Sequence, residues 1–212
     1  MRATFLLAVL LGCSSCSVIE QPSALISRWT TNWREAVTQD DRQRLSDWRT
    51  SFVAALDAAK KGGHEADIMR EGVLLEPDAA LGPPAIPNGT YRCRVIKIGA
   101  KPESGSPAYD AFPPFVCQIS AEQGLQRFNK FGGSQRYAGL LFPGDAIHQV
   151  LLGTLVLGDE KQALQYGQDE LRDVAGYVER IGPDRWRLIM PKPHFESQFD
   201  VMELIPDSAG AR

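Results

Sequence analysis

The chain has no surplus of positive charge. Its 23 Lys and Arg residues face 26 Asp and Glu, giving a formal net charge of −3, so it lacks the cationic surface that displaces counterions from nucleic-acid phosphates. Arg92 and Arg94 share one strand face, and they read as a solvated exterior. Histidine is scarce: His64, His148 and His194 stand in neither an HExxH nor a CxxC setting, so no metal site is expected. Asp159, Glu160, Asp169, Glu170 and Asp173 lack the alternating spacing of a calcium loop and read as a solvated loop. There is no GxSxG elbow and no phosphate-binding glycine loop. Gly132-Gly133-Ser134 falls between strands and reads as a turn, with no base placed to activate Ser134. No catalytic residue and no cofactor is expected. Nor does any apolar run approach the ~20 residues of a membrane-spanning helix.

What is present begins with an address. Arg2 precedes an unbroken apolar run over residues 5–11, followed at once by Gly12-Cys13-Ser14-Ser15-Cys16. This is the pattern of a signal peptide over residues 1–16. Leu10-Leu11-Gly12-Cys13 resembles a bacterial lipobox, which makes Cys13 the acylated residue; Cys16 is the alternative, and would leave Cys93 and Cys117 as a tidy pair, while plain cleavage would release a soluble periplasmic protein. Acyl chains contribute ~0.8 kcal/mol per buried methylene, so the expected partner is a membrane surface reached through an N-terminal lipid anchor. The expected location is the periplasm.

After a tether over residues 17–22, helical spacing marks residues 23–82. Ile26, Trp29, Trp33 and Val37 suggest one amphipathic helix. Leu45, Trp48, Phe52, Ala55, Leu56 and Ala59 suggest a second, with Asp40 or Asp41 as its cap and Lys60-Lys61-Gly62-Gly63 as its end. A short helix is predicted over 65–71 and a single helical turn over 77–81. The Gly/Pro-rich stretch 82–89 then breaks regular structure.

From 88 to 206 the period changes to two. Tyr91, Cys93 and Val95 share a face, as do Phe115, Cys117 and Ile119, so both cysteines have apolar neighbours and a Cys93–Cys117 disulfide suits an oxidising compartment. Val174, Gly176 and Val178, then Trp186, Leu188 and Met190, alternate around Gly182-Pro183-Asp184 as a hairpin does. The segment 147–157 is apolar at both parities, which a strand covered on both faces requires. The reading is α+β: an N-terminal helical segment packed on an antiparallel, roughly eight-stranded barrel, with a frayed tail over 207–212.

Gly89-Thr90-Tyr91-Arg92-Cys93-Arg94, Phe112-Pro113-Pro114-Phe115-Val116-Cys117, Gly133-Ser134-Gln135-Arg136, Leu152-Gly153-Thr154-Leu155, Glu179-Arg180-Ile181-Gly182 and Arg185-Trp186-Arg187-Leu188 carry a resemblance over most of the chain. The sequence resembles the alphaproteobacterial envelope protein family catalogued as domain of unknown function four-eight-nine-three. The resemblance implies no activity, ligand or catalytic residue. In outline the barrel is similar to lipocalin-like small barrels. The expected function is non-enzymatic binding of a small apolar or amphipathic ligand in the barrel interior or mouth. The alternative is a protein-binding module, such as an inhibitor of a periplasmic hydrolase, acting through loops 101–111 or 132–136.

Overall fold

The alternation that marks the strands in the sequence closes on itself in space. The computed structural model describes residues 25–207; Cys13, Cys16, the tether and residues 208–212 lie outside the described residues. Among the described residues nine strands follow in chain order: β1 (Gly89–Ala100), β2 (Tyr109–Ala111), β3 (Phe115–Glu122), β4 (Leu125–Phe131), β5 (Gln135–Pro143), β6 (Gln149–Leu157), β7 (Asp173–Gly182), β8 (Arg185–Pro191) and β9 (Ser197–Pro206). Leaving out the short β2, each pairs antiparallel with the next, and β9 returns to β1 from Tyr91↔Pro206 to Ala100↔Ser197. Closure of these eight strands leaves no long unpaired edge.

The period-2 pattern assigns the two faces. Tyr91, Cys93, Val95, Phe128, Leu151, Trp186 and Met202 are among the side chains of one buried cluster, which fills the barrel. Cys93 and Cys117 form a disulfide within it, their Cα atoms 5.8 Å apart. Where β5 and β6 cross, the paired residues are Gly139 and Gly153. A Cβ on Gly153 would lie 2.3 Å from the Ala138 carbonyl oxygen, so this tight bend requires glycine.

The outward face carries the helices α1 (Trp33–Ala36), α2 (Gln39–Ser46), α3 (Trp48–Lys61) and α4 (Glu65–Glu71), with a 3-10 turn at Gly72–Leu75. Phe52, Ala55 and Ala59 of α3 are fully buried against Ile96, Ile98, Phe199 and Val201; the Phe52 and Phe199 rings stack 4.4 Å apart. Small residues at 55 and 59 let the helix approach the sheet, and each large side chain so buried contributes ~1.5–3 kcal/mol. On β6, Val150, Leu152 and Val156 point outward into a second cluster with Val37 and Leu45. That is the two-sided cover predicted from residues 147–157.

Three local expectations are corrected. The helix over 26–37 shrinks to Trp33–Ala36 because polar side chains take over the backbone donors: Thr30 accepts from the Asn32 N–H and Asn32 from that of Arg34. Ile26 instead forms a bridge to Tyr166. The cap of α2 is Thr38, which accepts from the Asp41 N–H, while Asp41 itself is buried and bonded to the Tyr166 hydroxyl. The helical turn predicted at 77–81 is a simple hydrogen-bonded turn at Pro77-Asp78, and a 3-10 turn precedes it at Gly72–Leu75, where Gly72 at φ +54 ends α4.

Two ionic readings also change. Arg94 is not solvated: it donates to Glu71 of α4 and Glu203 of β9, joining helix to barrel. Asp173 is buried, accepting from the Gly167 N–H, and burial pushes its carboxyl up to about 6.

Candidate functional site

The two ends of the barrel differ. At the end where β1 begins, the segment before it lies across the opening. Gln149 accepts from the Ile86 N–H, Gln126 donates to the Ile86 carbonyl and to Asn88, and the Tyr91 hydroxyl donates to the Pro87 carbonyl at 2.6 Å. Tyr91 meets Trp186 edge-on just inside. That end is sealed.

At the other end β1 changes partners. Its first half pairs with β3 as far as Cys93↔Phe115, and its second half with β2 from Ile96↔Ala111. Phe112, Pro113 and Pro114 cross between them, with the Phe112 N–H on the Val95 carbonyl. The β4–β5 ladder likewise stops at Asn129↔Ala138, and Gly132 and Gly133, at φ +79 and +76, turn the chain. A Cβ on Gly133 would sit 3.2 Å from the Phe115 ring and 3.4 Å from Lys130 Nζ, so glycine also permits that close approach. These two splayed seams open a cleft of about 120 Å³ lined by Val95, Lys97, Phe112, Phe115, Lys130, Gly133, Ser134, Gln135, Tyr137 and Glu196. Beside it, across Gln135 and Glu196, lies a shallower depression of about 350 Å³ reaching Lys101, Ser104 and His194.

Period 2 carries charge into this mouth. Lys97 continues the inward face of Tyr91, Cys93 and Val95; Lys130 follows Phe128; Asp200 precedes Met202 and Leu204. Lys97 Nζ lies 3.0 Å from Glu196 and 3.4 Å from Asp200 and donates to Gln135. Burial opposes the Lys97 charge, but Asp200 and Glu196 outweigh it and its pKa is raised. Burial raises that of Asp200, which also accepts from the Ser197 hydroxyl. Burial, with Asp200 and Glu196 nearby, holds the Tyr137 phenol neutral.

Lys130 is different. It is 4% exposed, donates to the Gly132 and Gln135 carbonyls at 2.9 Å each, and stands 3.8 Å from the Phe115 ring centroid. Among the described residues it pairs with no carboxylate. Burial, helped by the positive Lys97 and Arg136, pulls its pKa down to about 8.

Of the residues weighed in the sequence, Ser134 reaches this mouth and His194 borders the depression. His64 bonds to Asp67 at the start of α4. His148 lies in a different place, outside the barrel, between Asp145 and Glu179. Among the described residues no group of three or more His, Cys, Asp or Glu is placed to hold a metal. Lys97, Lys130, Gln135 and Asp200 carry no catalytic motif, yet each lies one step beyond an inward-facing residue of its own strand: Val95, Phe128, Tyr137 and Met202.

Fold and site together define a closed, internally packed β-barrel with a helical cover and one recessed, charged mouth. A family model described as Domain of unknown function (DUF4893) matches residues 33–204, a span that takes in both helices and barrel, and the chain belongs to that family. No curated protein and no solved structure matches it significantly.

Proposed function

We propose that the protein is a non-enzymatic binding protein of the cell envelope, exported and held at a membrane surface by a lipid on Cys13 or Cys16, which seats a small amphipathic ligand in the barrel mouth. The observation that carries the binding reading is the cleft between Phe112 and Phe115 beside Lys130, in a barrel whose remaining interior is filled by its own side chains. That filling removes the barrel interior as a ligand chamber and leaves the mouth. Apolar walls with a few fixed polar groups are the usual make-up of a small-molecule site, and the adjoining depression has room for the rest of a ligand whose head enters the cleft. The export reading is supported by the N-terminal pattern and by the Cys93–Cys117 disulfide, which suits an oxidising compartment.

Native mass spectrometry of the protein, gently extracted from its own membrane fraction, tests both parts. The expected spectrum shows acyl mass at the N-terminus and a non-covalent mass of metabolite size. Phe115→Ala should keep the acyl mass and lose the small molecule, since removing one aromatic wall weakens binding about tenfold. An unmodified N-terminus beyond Cys16 would refute the anchor. An empty mouth with a stoichiometric partner protein would favour the hydrolase-inhibitor reading instead.

A further inference from the structure

We propose that the ligand of this mouth is an organic anion whose carboxylate meets the Lys130 ammonium and whose apolar part lies between Phe112 and Phe115; the inference rests on the ligand-binding reading above.

Among the described residues that line the cleft itself, every titratable group but one has a partner of opposite sign or is neutral; Lys101, which donates to the His194 carbonyl, stands outside it in the adjoining depression. Lys97, from β1, faces two carboxylates, Glu196 from the β8–β9 loop and Asp200 from β9. Tyr137, from β5, is a neutral phenol. Arg136, also from β5, turns away to the carbonyls of Gly158 and Glu160. Lys130, on β4, holds its charge in the same buried space with only two carbonyls and the faces of Phe115 and Tyr137 around it.

Buried charges are ordinarily paired, because an isolated one forfeits its hydration. Carbonyls and ring faces soften that loss and leave the charge uncompensated. A carboxylate entering the cleft supplies the missing charge, and charge-assisted N–H···O⁻ bonds are the stronger kind. The fields of Lys97 and Arg136, which work against the Lys130 proton, attract an anion to the same point. A cationic ligand meets repulsion there. A neutral one gains only the aromatic walls.

Calorimetric titration of the full chain with benzoate, and with benzyl alcohol as its uncharged counterpart, tests this. At about pH 7 benzoate should bind about tenfold more tightly than benzyl alcohol. Raising the pH to about 9.5 should weaken benzoate about tenfold and leave benzyl alcohol unchanged, because Lys130 loses its proton near pH 8 whereas the pKa of Lys97 is raised. Lys130→Met should abolish the preference for benzoate. Should that variant fail to fold, the pH arm on the unaltered protein decides alone. Benzyl alcohol binding as tightly as benzoate at both pH values overturns the anion inference and leaves a ligand-binding mouth. Absence of binding by either probe overturns both.

Discussion

Replacing Glu179 by alanine lowers the unfolding free energy by about 3–5 kcal/mol, the cost of leaving a buried charge without its partner. Glu179 and Arg187 face each other across β7 and β8, both fully buried, with Arg187 Nε 2.6 Å from the carboxylate. The rest of the guanidinium donates to the carbonyls of Leu74, Glu76 and Pro77, so it ties the end of the helical segment to the barrel. The other Glu179 oxygen meets His148 Nε2 at 3.0 Å, and His148 Nδ1 meets Asp145 at 2.9 Å. In Glu179→Ala the guanidinium stays buried and unpaired. Adding Arg187→Met should recover part of the loss, because the two residues act as a unit. Chemical denaturation of the three proteins gives the result; a loss below about 1 kcal/mol, typical of an exposed pair, would contradict it.

The same variant changes how stability depends on pH. Burial works against the His148 charge, but its hydrogen bonds to Glu179 and Asp145 outweigh that and raise its pKa above 6.5. A raised histidine contributes stability that is complete below the unfolded value of 6.5 and is lost as pH rises through the higher folded value. Removing Glu179 takes away the larger of the two supporting bonds, so the loss across this window should shrink. Asp173 and Lys130 titrate nearby in both proteins and cancel in the difference.

Loss of the disulfide has the second largest expected effect. Cys93 and Cys117 are separated by 24 positions in sequence, and closing a loop of that size stabilises by ~3 kcal/mol on the chain-entropy model. The bond lies at the point where the β1–β3 ladder ends, at Cys93↔Phe115, and so beside one wall of the mouth. Cys93→Ala/Cys117→Ala should therefore lower the denaturation midpoint and weaken ligand binding together. Reductant should shift the midpoint of the parent protein to match the variant and leave the variant unchanged. Free thiols in the denatured, unreduced protein would refute the bond.

The barrel was legible because period 2 is set by backbone geometry. Val174, Gly176 and Val178, with Trp186, Leu188 and Met190, show their inward face in the sequence, and β7 and β8 pair as that hairpin requires. The helix at 26–37 was misread because apolar spacing cannot reveal that Thr30 and Asn32 bond to the backbone first. Arg94 illustrates a deeper limit. Its outward parity is plain, yet only the docking of α4 shows that outward means facing Glu71. Arg187 and Glu179 are the same case. The mouth lies between: the inward parity of Lys97, Lys130 and Asp200 is written in the strands, but the cleft depends on β1 exchanging β3 for β2, a long-range event with no local sequence sign.

The proposed ligand site lies at one end of the barrel. Amide chemical-shift mapping on the isotope-labelled protein, titrated with benzoate and with benzyl alcohol, tests it most directly. Saturable shifts are expected only in the mouth-lining parts of β1, β4, β5 and β9, around Lys97, Lys130, Gln135 and Asp200, and in residues 112–115, with the sealed end around Ile86, Gln126 and Gln149 unmoved. Shifts centred on that sealed end or on the helical face, or none at all, would contradict it.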